Sequence, residues 1–192
     1  MSAYAAVLFE WEGVLALPNA RGALEAAIRE ALEACGAPKA FDAVREASAA
    51  GVAPAAALRE VARGRAPEAE AAFDAALADV WDVGGPARAL LHSLRYRGYR
   101  LGVASGLATS ADGLGRWMAG AGLPAYADEV FTGAEHAVPS ATWPAARSLA
   151  VVGDAGRWDA WAAAGVRVIP FPSAALRELV SLGTVLGEGV AG

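Results

Sequence analysis

The stretch AAVLFEWEGVLAL near the N-terminus constrains this chain more than any other part of it. Ala5 to Phe9 is short, apolar and without period, which predicts a strand buried on both faces. The run ends in two glutamates, Glu10 and Glu12, and Gly13 turns the chain at once. Strands of that kind belong to parallel sheets covered by helices, and such sheets bind ligands outside the C-terminal ends of their strands. Two carboxylates delivered to that end stand where α/β folds build metal-dependent and acid–base sites.

The texture then changes. From about Leu17 to Val83 there are no β-rich runs, only alanine-rich stretches with apolar residues at helical spacing. Leu24, Ile28 and Leu32 predict one helix, ended near Gly36 and Pro38, and Phe41, Val44 and Ala47 a second, stopping by Gly51. Leu58 and Val61 predict a third; Phe73, Leu77, Val80 and Trp81 a fourth. After Gly84-Gly85-Pro86 strands and helices alternate. The expected elements are a helix over 87–97, a strand over 100–104, a helix over 111–121 and a strand over 129–132. They continue with a strand over 148–153, a helix over 157–164, a strand over 166–169 and a helix over 173–182. That alternation means a parallel sheet covered on both faces.

Composition narrows the function classes. A net charge of −5 argues against nucleic acid and anionic membranes as partners. No uncharged apolar run approaches the ~18 residues of a membrane span, and the start lacks a signal peptide's basic residues. The single cysteine, Cys35, excludes an internal disulfide, so the expected compartment is a reducing cytoplasm.

Three predicted strands end on polar groups: Glu10 and Glu12, then Ser105, then Asp154. In adjacent parallel strands these four line one crevice. In that order they resemble the haloacid dehalogenase (HAD) superfamily, in its helical-cap branch of phosphoglucomutase- and phosphonatase-like proteins. LFEWEGVL resembles the first family motif, an apolar strand followed by Asp-x-Asp-Gly. VASG resembles the second, and VVGDAGRWDAWAAAGV the fourth. The resemblance spans essentially the whole chain. It implies an α/β fold with a Rossmannoid, three-layer parallel sheet core, built from 1–16 and 84–192, and a small all-helical cap over 17–83 inserted after the first strand. It also implies Glu10 as nucleophile and Mg²⁺ ligand, Glu12 as general acid and base and further metal ligand, Ser105 with Gly106 on a transferring phosphoryl group, and Asp154 on Mg²⁺. A carboxylate nucleophile would split hydrolysis into two displacements.

The chain departs from that pattern at the reacting atoms. Both first-motif aspartates are glutamate, which carries the carboxylate ~1.5 Å further from the backbone. A misplacement of about 1 Å can cost on the order of 10²-fold in rate. The third-motif lysine is absent: GAEHAVPSATWPAAR holds two prolines, and His136, Arg147 and Arg157 are unmatched substitutes. Asp159 follows one residue late for a second fourth-motif acid, and reads either as a metal ligand after a register shift or as a helix N-terminal acid. Lys39, the one lysine, reads as an exposed loop residue against the alternative of a phosphonatase-type Schiff-base lysine. Trp11, Trp143 and Trp158 lie close enough in sequence to the crevice to fill it. The expectation is a hydrolase-like protein with impaired or absent catalysis that keeps a crevice for a small phosphorylated molecule, Mg²⁺ or a protein partner. The alternatives are a working Mg²⁺-dependent phosphatase with Glu10 as nucleophile, and hydrolysis of a non-phosphate substrate such as a haloacid.

Overall fold

The computed structural model of the chain describes residues 4–123, 126–132, 142–153 and 158–170. Strand β1 (Ala6–Glu10) is followed by the two-residue β2 (Leu17–Pro18) and four helices, α1 (Ala23–Ala34), α2 (Phe41–Ala49), α3 (Pro54–Ala62) and α4 (Ala66–Ala76). After β3 (Trp81–Asp82) come α5 (Gly85–Tyr96), β4 (Arg100–Ser105), α6 (Ala111–Gly120), β5 (Glu129–Thr132), β6 (Ser148–Val152), α7 (Asp159–Ala163) and β7 (Arg167–Pro170). The helix expected over 173–182 lies outside the described residues.

Five strands form one wholly parallel sheet in the order β5-β4-β1-β6-β7. β1 is central, with Phe9 opposite Val103 on one side and Val151 on the other. Strand alternation divides the core in two. Val7, Phe9, Leu101, Val103, Leu149 and Val151 join a large apolar cluster with the helices, including Leu91, Leu94 and Trp117. Ala6, Leu8, Ala104, Ala150 and Val152 face a smaller one with Trp143, Trp158 and Trp161. Burying each large apolar side chain contributes about 1.5–3 kcal/mol, so β1, covered on both faces, anchors the sheet. Gly102 is required by this packing, because a Cβ there would stand 2.8 Å from the Trp143 ring.

Two expectations need correction. The fourth helix does not run to Trp81: α4 ends at Ala76, and Trp81 lies in β3. The insert is also not wholly helical, since β3 pairs antiparallel with β2 to form a short ribbon at its base. Trp81 follows the helical period because its ring joins the same apolar face, and periodicity cannot separate that from one more turn. Lys39 is exposed in a 3₁₀ turn, Pro38–Ala40, and Cys35 is buried at the end of α1. Among the described residues no helix is long and apolar enough to cross a membrane.

Candidate functional site

The ends of β1, β4 and β6 lie side by side, and the loop after β1 decides what they can do. The ladder continues one residue past β1, where the Trp11 amide donates to the Ala104 carbonyl at 2.7 Å. The chain then turns sharply, with Gly13 at φ 78° and the Ala16 amide bonded to the Trp11 carbonyl at 2.9 Å. A positive φ of that kind is cheap only for glycine, which explains Gly13 directly after the second acid. The turn brings Glu12 over the end of β4.

Glu10 is 3% exposed, and its Oε2 accepts the Gly153 amide at 2.6 Å. Ser105 is fully buried. Its hydroxyl donates to Glu12 Oε1 in a short contact and accepts the Leu107 and Ala108 amides at 3.2 and 2.8 Å. Glu12 Oε1 also accepts the Leu107 amide at 3.2 Å, and Oε2 accepts the Gly106 amide at 3.3 Å. One hydroxyl and two backbone N–H groups thus form a nest for an oxyanion, of the kind consecutive amides make in anion sites. The group held in it is the chain's own Glu12 carboxyl. Burial pushes that carboxyl up to about 7 from 4.5, and the charge of Glu10 adds to the rise, while hydrogen bonds from Ser105 and Leu107 oppose it.

Ser105, Gly106, Glu10 and Glu12 are therefore brought together as the sequence predicts. Asp154, His136 and Arg157 lie outside the described residues. Asp159 is exposed in the first turn of α7, where a helix dipole favours an acid. Arg147 is exposed beside β6. Trp143 and Trp158 belong to the smaller core cluster and Trp11 to the larger one, packed 6.0 Å from Trp81. These rings are core residues and not crevice fillers. Beside the nest opens a cavity of about 700 Å³, lined by Glu12, Leu107, Leu24, Leu77, Trp81 and the exposed Arg21 among others. Sequence reasoning missed Leu107 and Trp81 here, because an apolar wall residue carries the same pattern as a core residue.

Mg²⁺ prefers near-octahedral oxygen ligands at about 2.0–2.1 Å. Among the described residues no group of three His, Cys, Asp or Glu side chains converges on such a point. Glu10 gives one oxygen to Gly153, and Glu12 gives both to the nest. The described donors alone do not fit the ion.

Neither a protein-family model nor a curated protein sequence matches the chain. Solved structures do. CbbY from Rhodobacter sphaeroides, in complex with phosphate, is 16% identical with a TM-score of 0.63, the match covering 88% of this chain and 86% of that one. The chain has the haloacid dehalogenase fold. A predicted phosphoglycolate phosphatase from Haemophilus somnus matches at 14% identity and TM-score 0.62, covering 96% of this chain and 99% of that one. A HAD-superfamily hydrolase from Ehrlichia chaffeensis matches at 13% and 0.55, covering 99% of each. At these identities the likeness establishes the HAD-like architecture, a parallel α/β sheet with flanking helices.

Proposed function

We propose that this HAD-fold protein no longer transfers phosphoryl groups and uses the crevice beneath its helical insert, residues 17–83, to bind a small molecule or a partner protein. The observation that carries this reading is the position of Glu12. Its carboxyl takes the Leu107 amide together with the Ser105 hydroxyl and the Gly106 amide, and Ser105 and Gly106 are the residues that the resemblance assigns to a transferring phosphoryl group. A phosphate oxygen would have to displace a covalently tethered carboxyl there. The same contacts occupy both oxygens of the group that would act as general acid and base, and such a group must reach the leaving atom directly or through one water. Losing one oxyanion donor typically costs ~10²–10³-fold in rate, and here three are engaged. The solved CbbY complex, which holds phosphate, makes phosphate the natural probe.

The test is turnover of p-nitrophenyl phosphate with Mg²⁺ present, comparing the parent protein with Glu10→Ala. The expected result is the same trace for both. Turnover in the parent that disappears on removing the Glu10 carboxylate would establish the phosphatase reading instead.

A further inference from the structure

We infer that Asp74, on α4 of the insert, is a positioning residue that fastens the insert to the anion nest and holds the nest loop in shape. Asp74 is 1% exposed. Its Oδ1 accepts the Thr109 amide at 2.9 Å, and its Oδ2 accepts the Thr109 and Ser110 hydroxyls at 2.7 and 2.9 Å. Its backbone carbonyl accepts the Trp117 indole N–H at 2.7 Å. One residue of the insert therefore bonds to three residues of the segment that follows β4.

That segment is continuous with the nest. Ser105, Gly106 and Leu107 hold the Glu12 carboxylate, the Ala108 amide bonds back to Ser105, and Thr109 and Ser110 hold Asp74. Ser110 is also the N-cap of α6, its hydroxyl accepting the Gly113 amide at 3.0 Å. Asp74 thus sets one end of a six-residue loop whose other end is the terminus of β4. The approach is close enough to demand a glycine: a Cβ at Gly113 would overlap the Asp74 carboxylate. A second close approach lies two residues past the end of α4, where a Cβ at Gly120 would stand 2.7 Å from the Ala78 carbonyl oxygen. A seam of this kind cannot slide, because buried carboxylate contacts and backbone contacts would break together. The inference concerns the loop's geometry and stands apart from whether phosphoryl transfer is lost.

Amide hydrogen exchange reads it directly. The informative quantity is the protection of Leu107 and Ala108 relative to Phe9 in β1, which cancels any change in global stability. In Asp74→Ala, which takes the acceptor from the Thr109 amide and the Ser110 hydroxyl and leaves the Thr109 hydroxyl only the Glu70 carbonyl at 3.4 Å, that ratio should fall by about tenfold or more. Asp74→Asn should restore it to within about threefold, because its amide oxygen can take the Thr109 N–H and the hydroxyls can rotate to accept its NH₂. Thr109→Val removes one donor without altering the insert and should lower the ratio by about threefold, which keeps the test open if the alanine variant fails to fold. Protection of Leu107 and Ala108 that falls only in step with Phe9, in Asp74→Ala or in Thr109→Val, would reduce Asp74 to a packing residue and overturn the inference.

Discussion

At the scale of single residues, the Glu12 carboxyl occupies the Ser105 hydroxyl and the Gly106 and Leu107 amides at the end of β4. Burial, the largest influence, lifts Glu12 from 4.5 to about 7, so the folded chain retains a proton there that the unfolded chain has already released. Stability contributed by this group is therefore fully present below pH 4.5 and is lost as the pH rises through about 7, levelling off above. A shift of this size corresponds to about 3 kcal/mol at most. Glu12→Gln keeps the shape and cannot ionise. Its unfolding free energy, measured in urea, should gain on the parent's by about 2–3 kcal/mol between about pH 4.5 and pH 8. A difference that is flat across that range would mean the carboxyl is hydrated and not held in the nest. The sequence disclosed the participants at this scale, because strand ends and a glycine turn announce Glu10, Glu12 and Ser105. It could not disclose that Glu12 bends back onto Ser105, because that depends on the turn at Gly13 and on the path of residues 105–108. Asp74 was illegible for a related reason. An acid on a helix reads as solvated until tertiary contacts bury it.

At the scale of elements, the strands and helices were legible almost throughout. β1, β4 and β6 are short apolar runs that only a doubly covered parallel sheet can use, and Leu24, Ile28 and Leu32 trace one face of α1. The error at Trp81 came from the limits of periodicity, since a two-residue ribbon contributes no period of its own. α6 offers the sharpest test of what elements ask of their residues. It contains Gly113, Gly115 and Gly120, and helix propensity alone would replace all of them with alanine. Space decides otherwise. Nothing lies within 4 Å of a Cβ at Gly115, whereas one at Gly120 would press on the Ala78 carbonyl. Gly115→Ala should stabilise the protein by about 0.5–1 kcal/mol. Gly120→Ala should destabilise it by about 1–3 kcal/mol, because the contact is with backbone and cannot be relieved by a rotamer change. Thermal melts of the two variants side by side check the sign of each. Equal shifts in the same direction would mean that α6 and the end of the insert are not in contact.

At the scale of the whole molecule, the insert and the sheet share one core. The large apolar cluster runs from Phe9 and Val103 in the sheet through Leu91 and Trp117 on its helices to Leu32, Leu58 and Phe73 in the insert. The topology alone suggests two units, since the sheet excludes residues 17–82. Packing argues the reverse, because neither part can expose its side of that cluster without losing burial worth about 1.5–3 kcal/mol for each large side chain. The Asp74 contacts add polar bonds across the same seam. Unfolding should therefore be a single cooperative event. Far-UV circular dichroism weighs the helices of the insert heavily, while tryptophan fluorescence includes Trp143, Trp158 and Trp161 in the cluster on the far face of the sheet. The two signals should trace the same urea transition, the coincidence expected of two-state behaviour. Leu58→Ala, which opens a cavity within the insert at a fully buried position, should cost about 2–5 kcal/mol. It should move both signals together, although Leu58 lies in α3 and three of the six tryptophans, Trp143, Trp158 and Trp161, lie across the sheet. A variant whose dichroism falls at lower urea than its fluorescence would show the insert melting alone. The shared core would then be too weak to bind the two parts, and a movable insert would again become the way into the crevice.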